Sequence, residues 1–357
     1  MGTIIGSFLV IVVAVYLLSI ITDEFFIPSL DQISGKLKLP HNVAGASLMA
    51  VGSSAPELAI ALLALFKGGG EHSDVGIGTI VGSAVFNILV ITGVSAIARP
   101  ARVTWRVVVR DIVVYVASIA LLILTFANGE ITILEALSFL VLYAVYILIL
   151  FNWEAFTPGE EEDIVEMVEA KFEEAHQTHN WYYKITGGIA WVFGFFTGNA
   201  HKSYIRAFLV SIAFIAIISW FLVDYAVIFA DAIGLPPVII ALTVLAAGTS
   251  VPDLISSIIV ARQGRGEMAV ANAVGSNIFD ILVGLGLPWA IAIVVLGTDV
   301  HVGVDDLWTS TIVLLSTVVL LFVFLTTGRV LTRREGWGLL AAYVIFALYI
   351  LIGESRF

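Results

Sequence analysis

The stretch Leu48-Met-Ala-Val-Gly-Ser-Ser-Ala-Pro-Glu57-Leu58 decides how this chain is read, because it returns as Leu242-Thr-Val-Leu-Ala-Ala-Gly-Thr-Ser-Val-Pro-Asp253-Leu254. Both copies carry Gly-[Ser/Thr]-Ser-x-Pro-acid-Leu, with the two acids 196 residues apart. A second pair follows in the same order. Val81-Gly-Ser-Ala-Val-Phe-Asn87-Ile88 matches Val274-Gly-Ser-Asn-Ile-Phe-Asp280-Ile281, with Asn87 and Asp280 193 residues apart. Two separate matches in one order mark an internal duplication.

Each motif is embedded in a long apolar run. The chain has 357 residues, 60% hydrophobic and 13% charged, where a soluble protein carries roughly 45–50% apolar and about 25% charged residues. Apolar runs predict ten spanning helices near 3–22, 42–66, 74–98, 107–127, 132–151, 203–224, 235–262, 268–296, 306–326 and 335–353. Each is long enough for a hydrocarbon core that takes about 20 helical residues. The first run lacks a basic leader and a small-residue cleavage site, so it reads as a retained helix. The expected fold class is an all-α polytopic membrane protein of ten transmembrane helices in two inverted five-helix repeats. Residues 1–151 form the first repeat, 152–202 an acidic cytosolic loop and 203–357 the second repeat.

Charge placement sets the orientation. With ten spans, 15 of the 17 basic residues fall on one side, and only Lys67 and Arg356 fall on the other. The basic side is cytoplasmic by the positive-inside rule. Both termini then lie outside, at a plasma or inner membrane. Ile185–Ala200 could be taken for an eleventh span, but its insertion splits the basic residues 9 against 8, so it reads as an interfacial segment. The acidic run from Glu160 to Glu174 reads as a solvated cytosolic helix, and Arg110 with Asp111 as a local pair. The formal charge of −11 argues against nucleic acid as a partner, and the absence of Cys excludes thiol chemistry.

The duplicated motifs lie five helices apart. Five is odd, so the copies run in opposite directions through the bilayer, which puts a site between them near the midplane. Charged side chains there are expensive and functional. Glu57, Asp253 and Asp280 sit mid-span, with Asn87 as the neutral counterpart of Asp280. No Lys or Arg occurs mid-span to pair with them, so the natural counter-charge is a bound cation. Ca²⁺ takes about six to eight oxygen ligands. Ser53, Ser54, Thr249, Ser250, Ser83 and Ser276 offer hydroxyls, and Asn87 and Asn277 offer amide oxygens. The hydroxyls could equally back-bond to their own helix, and Asn277 and Asn272 could be helix contacts. Pro56 and Pro252 remove backbone donors, which should free carbonyls near Ala50, Gly52, Ala246 and Gly248. Gly82 and Gly275 should let helices approach closely.

At these motifs the chain resembles the cation/Ca²⁺ exchanger superfamily, most closely its K⁺-dependent Na⁺/Ca²⁺ exchangers. Gly78-Thr-Ile-Val-Gly-Ser-Ala-Val-Phe-Asn-Ile-Leu89 and Ala246-Ala-Gly-Thr-Ser-Val-Pro-Asp-Leu254 carry the likeness, with Val260-Ala-Arg and Met268-Ala-Val270. The resemblance implies Na⁺/Ca²⁺ antiport by alternating access, with the first and sixth helices sliding against the rest. It implies that Glu57 and Asp253 carry Ca²⁺, that Asp280 and Asn87 complete the site, and that the six hydroxyls with the Ala50 and Ala246 carbonyls line Na⁺ sites. An aspartate at 280 is tied to K⁺ use in the K⁺-dependent branch but also occurs in simple exchangers. The H⁺/Ca²⁺ branch carries Gly-Asn-x-x-Glu, and Ser53 and Thr249 replace that Asn here. The expectation is a transporter rather than an enzyme, with Ca²⁺, Na⁺ and possible K⁺ as cargo, no cofactor, and the lipid bilayer as environment. An H⁺/Ca²⁺ antiporter, a channel and a membrane enzyme are the alternatives. All six histidines lie outside the spans, which disfavours the last.

Overall fold

The computed structural model describes residues 1–37, 50–67, 72–102, 105–127, 129–156, 182–200, 202–262, 266–297, 299–301, 304–326 and 329–353. The acidic run 160–174 lies outside them. The fold is all-α with short strand pairs at the loops. The helices are α1 (Gly2–Ile21), α2 (Ile27–Leu37), α3 (Ala50–Ser53), α4 (Ala55–Phe66), α5 (Ser73–Phe86), α6 (Thr92–Ala98), α7 (Trp105–Thr125), α8 (Ile133–Phe156), α9 (Tyr182–Thr197) and α10 (Tyr204–Ile233). They continue as α11 (Pro237–Ile240), α12 (Ala246–Thr249), α13 (Val251–Arg262), α14 (Gly266–Leu282), α15 (Gly286–Leu296), α16 (Val304–Thr326) and α17 (Arg333–Gly353). Single π-turns join α1 to α2 (Thr22–Phe26), α5 to α6 (Asn87–Ile91) and α11 to α12 (Ala241–Leu245).

Among the described residues, eight helices are long and apolar enough to cross a membrane, and the pair Pro237–Thr249 and Val251–Ile258, bent by 42°, meets the same measure taken together. Only Ala50 onward is described in the predicted span 42–66. The chain is therefore a polytopic α-helical membrane protein. α10 runs about nine residues past its predicted end, until Gly234 adopts φ +75° and accepts the reversed chain. Pro236 and Pro237 then open the next helix. The helix α9 covers the stretch that could be mistaken for a span. It has 16 residues, and its Trp191 and Phe195 are exposed.

Two spans form the centre. Of their most apolar windows, Ser73–Ala98 is 89% buried and Ala269–Leu296 67%, against 22% for Ile133–Trp153 and for Arg333–Ile352 at the periphery. Small residues make this centre tight. A methyl on Gly82 would lie 2.4 Å from the Leu242 carbonyl oxygen, and one on Gly76 2.7 Å from Ala61 Cα. Gly275 behaves differently from its sequence counterpart: a methyl there meets no atom within 4 Å. The expectation that both glycines permit close helix contact therefore holds for Gly82 alone in this structure.

Features recur at a spacing near 200. The strand β1 (Ala101–Arg102) pairs antiparallel with β4 (Val330–Leu331), and β2 (Glu130–Ile131) with β3 (Val300–His301). Thr132 caps α8 while Glu135 reaches back to the Thr132 amide at 2.8 Å; Thr332 and Glu335 repeat this box on α17 at 2.7 Å. Gly93 and Gly336 pack backbone to backbone, and Gly286 packs on Phe139 and the Ala136 carbonyl.

Candidate cation site

The two broken helices build the site. The turn residue Ser54 between α3 and α4 has φ −95° and ψ 8°, and Ser250 between α12 and α13 has φ −87° and ψ 0°. Each break follows from a proline two residues on, which has no N–H to give to the carbonyl four residues back. Those carbonyls belong to Gly52 and Gly248. The Ala50 and Ala246 carbonyls are not freed as the sequence suggested. They accept the Ser54 and Ser250 amides at 3.0 and 3.3 Å, because the chain closes one more helical bond before it turns. Glu57 and Asp253 fall in the first turns of α4 and α13, where the half-helix N-terminus favours negative charge.

The three acids converge. Glu57 lies against Thr249 and close enough to Asp253 for their charges to interact. Asp280 lies against Ser54 and interacts with both Glu57 and Asp253. Glu57 is 3% exposed and Asp280 2%; Asp253 is half-buried. Among the described residues no salt bridge reaches Glu57 or Asp280. Glu57 Oε2, Asp280 Oδ1 and Asn87 Oδ1 are buried acceptors with no hydrogen-bond partner. Such groups are rare, and each calls for an explanation. No three acidic or histidine side chains among the described residues come together tightly enough to hold a metal ion by themselves, so any shell here must include neutral oxygens.

Those neutral oxygens are at hand. Ser83 Oγ and Ser250 Oγ share a hydrogen bond of 2.9 Å across the two halves of the chain. Thr249 donates to Leu245 O at 3.1 Å and Ser276 to Asn272 O at 2.9 Å. A hydroxyl that sends its proton back along its own helix keeps its lone pairs for a cation. Ser53 is half-buried, and its hydroxyl sits 3.5 Å from Ala50 O, too long for a firm bond. Asn277 is used otherwise. Its amide nitrogen donates to Ala84 O at 3.0 Å and to Tyr115 Oη at 2.8 Å, while its oxygen accepts from Asn87 Nδ2 at 2.8 Å. One lone pair of its oxygen thereby holds Asn87.

The helices around the site are irregular just beyond it. The π-turn Asn87–Ile91 begins at Asn87, and α14 ends just after Asp280, where Val283 and Gly284 both donate to Phe279 O. A methyl on Gly284 would come within 2.3 Å of the Asp280 carbonyl. Residues beyond the sequence reading also carry weight. Tyr115 is fully buried against Asn277; a lone Tyr in an apolar helix gave no pattern to find it by. Lys67 is buried and joins the end of α4 to Asp224 and the Trp220 carbonyl of α10. Arg110 forms the expected pair with Asp111 at 2.7 Å.

Comparison with known proteins matches this architecture. The sodium/calcium exchanger protein family matches residues 6–152 and 203–352. Sodium/potassium/calcium exchanger 4 of Homo sapiens is 28% identical, covering 95% of this chain and 80% of its own. Sodium/potassium/calcium exchanger 2 of Gallus gallus is 29% identical over 95% of this chain and 76% of its own. Among solved structures, the sodium-calcium exchanger NCX_Mj superposes with a TM-score of 0.56 at 21% identity, covering 96% of this chain and 98% of that one. The H⁺/Ca²⁺ exchanger CAX superposes with a TM-score of 0.65 at 16% identity, over 99% and 88%. With most of its length matched on both sides of the 153–202 insert, this chain belongs to the sodium/calcium exchanger protein family.

Proposed function

We propose that this protein is a secondary active antiporter that exports Ca²⁺ in exchange for Na⁺. The carrying observation is the set of buried, unpartnered oxygens on Glu57, Asn87 and Asp280, drawn from both halves of a chain in this family. Cations are the cargo that satisfies them. Glu57, Asp253, Asp280 and Asn87 would hold Ca²⁺. Ser53, Ser54, Ser83, Thr249, Ser250 and Ser276, with the Gly52 and Gly248 carbonyls and the second lone pairs at Ala50 and Ala246, would hold Na⁺. K⁺ is a candidate third ion, on the strength of the relatives' names and of Asp280. Two unit charges 4 Å apart interact by about 4 kcal/mol at an effective dielectric of about 20. A site of three carboxylates therefore discharges one load before it takes the other, and that competition is the coupling.

The same reading extends to architecture. Ten spans in two inverted repeats, 1–151 and 203–357, flank the loop 152–202. The strand pairs support it: β1 and β4 fall on one side only if an even number of spans separates their loops, and an extra span within 152–202 would part them. The basic loops then face the cytoplasm of a plasma or inner membrane, with the Gly2 and Gly353 ends outside. Access would alternate as the α1/α10 pair slides against the core.

The test is radiolabelled Ca²⁺ uptake into proteoliposomes under imposed Na⁺, K⁺ and H⁺ gradients. An outward Na⁺ gradient should drive uptake. Uptake that follows pH and ignores Na⁺ would replace this reading with H⁺/Ca²⁺ antiport.

A further inference from the structure

We propose that Tyr115 is a positioning residue that acts through Asn277 to hold the Asn87 amide oxygen toward the transported cation. The proposal rests on the reading of Asn87 as a ligand. It follows from a directional chain of hydrogen bonds across three helices. Asn277 Nδ2 has two N–H groups, and the structure gives each an acceptor: Ala84 O at 3.0 Å and Tyr115 Oη at 2.8 Å. Ala84 O can only accept, so the Asn277 nitrogen belongs at that end, where Tyr115 Oη takes its second N–H, and its oxygen lies at the other end. That oxygen accepts from Asn87 Nδ2 at 2.8 Å. Asn87 thereby spends its nitrogen on Asn277, and its Oδ1 stays buried and unpartnered.

Reversing Asn277 would set its oxygen against the Ala84 carbonyl. Asn87 would then turn its own oxygen to Asn277 and its N–H groups into the site, where they repel a cation. Orientation matters only for an amide. Asp280, at the matching position, presents equivalent oxygens whichever way it rotates. The positioning chain accordingly stands on the Asn87 side. Tyr115 has 0% exposure and its ring sits in the apolar core, so what a Phe there would lack is the hydroxyl that accepts from Asn277.

Tyr115→Phe keeps the ring and leaves one Asn277 N–H unsatisfied. A lost buried acceptor of this kind shifts an equilibrium by roughly fivefold. The experiment compares Ca²⁺ half-saturation of Na⁺-driven flux, maximal flux and melting temperature for wild type, Tyr115→Phe, Asn87→Ser and the double variant. The expected result is a half-saturating Ca²⁺ raised about fivefold by Tyr115→Phe, with maximal flux little changed. On the Asn87→Ser background, whose hydroxyl needs no amide orientation, the same change should have less than about a twofold effect. An unchanged half-saturation, a loss confined to maximal flux and melting temperature, or an undiminished effect on Asn87→Ser would each overturn the proposal. Calorimetric Ca²⁺ titration of the purified full chain reads the same shift without transport. A wild type indifferent to Na⁺ therefore defeats the antiport reading while leaving Tyr115 testable.

Discussion

The broken helix that carries Glu57 and the one that carries Asp253 turn through nearly the same backbone angles at Ser54 and Ser250, yet their surroundings differ. Glu57 is 3% exposed, whereas Asp253 is half-buried, with exposed Val251 and Ile255 on the same helix. The glycines repeat the contrast. Gly82 is pressed against Leu242 and Ala246, and its counterpart Gly275 faces open space. Local structure is thus shared between the halves, and packing is not. A pair of like elements held in unlike packing is what the proposed alternating access calls for, because two states could trade the arrangement between the halves.

The sharpest way to break this comparison is at the acids. Glu57→Gln should lower Na⁺-driven Ca²⁺ flux by about 100-fold or more, since a lost charge ligand costs on the order of 3 kcal/mol. Asp253→Asn should match that loss in flux. Cation-free melting separates the two: Glu57→Gln should raise the melting temperature more than Asp253→Asn, because it removes the more deeply buried charge. Next come the glycines. Gly82→Ala should destabilise by about 2 kcal/mol in denaturation, since its new methyl meets backbone. Gly275→Ala should leave stability within about 0.5 kcal/mol yet slow flux, if the opposite access state closes on that surface. Smaller still is the Ser83–Ser250 bond. Ser83→Ala and Ser250→Ala should each cost about 1 kcal/mol, with the double variant costing little more than either. Least of all, Thr132→Ala and Thr332→Ala should each lose about 1 kcal/mol or less of cap energy, by equal amounts, because the two boxes have matching geometry.

Much of this was legible in the sequence because membrane burial leaves a coarse record. Apolar run lengths predicted the eight long apolar helices and the bent pair, and an acid beside a proline in mid-span pointed to Glu57, Asp253 and the breaks. Asn87 and Asp280 followed from the second repeated motif. Other features left no such record. The α8 and α17 capping boxes recur 200 residues apart, but Thr-x-x-Glu is too short to stand out without its hydrogen bonds. The different roles of Gly82 and Gly275 are set by which neighbouring helix is close, which a sequence match cannot express. Asn277 read as a ligand because its amide carries an oxygen; only the positions of Ala84 and Tyr115 show that it also holds Asn87. That the Ala50 and Ala246 carbonyls still accept the Ser54 and Ser250 amides was not legible, since a proline identifies which donor is missing but not where the chain closes its last turn.

The central claim is that Na⁺ and Ca²⁺ occupy one shared set of oxygens. Calorimetric titration of the purified wild-type chain with Ca²⁺ at increasing Na⁺ tests it most directly. Shared occupancy predicts that half-saturating Ca²⁺ rises more steeply than in direct proportion to Na⁺, because several Na⁺ ions displace one Ca²⁺. A Ca²⁺ affinity that stays constant across the Na⁺ series would contradict it.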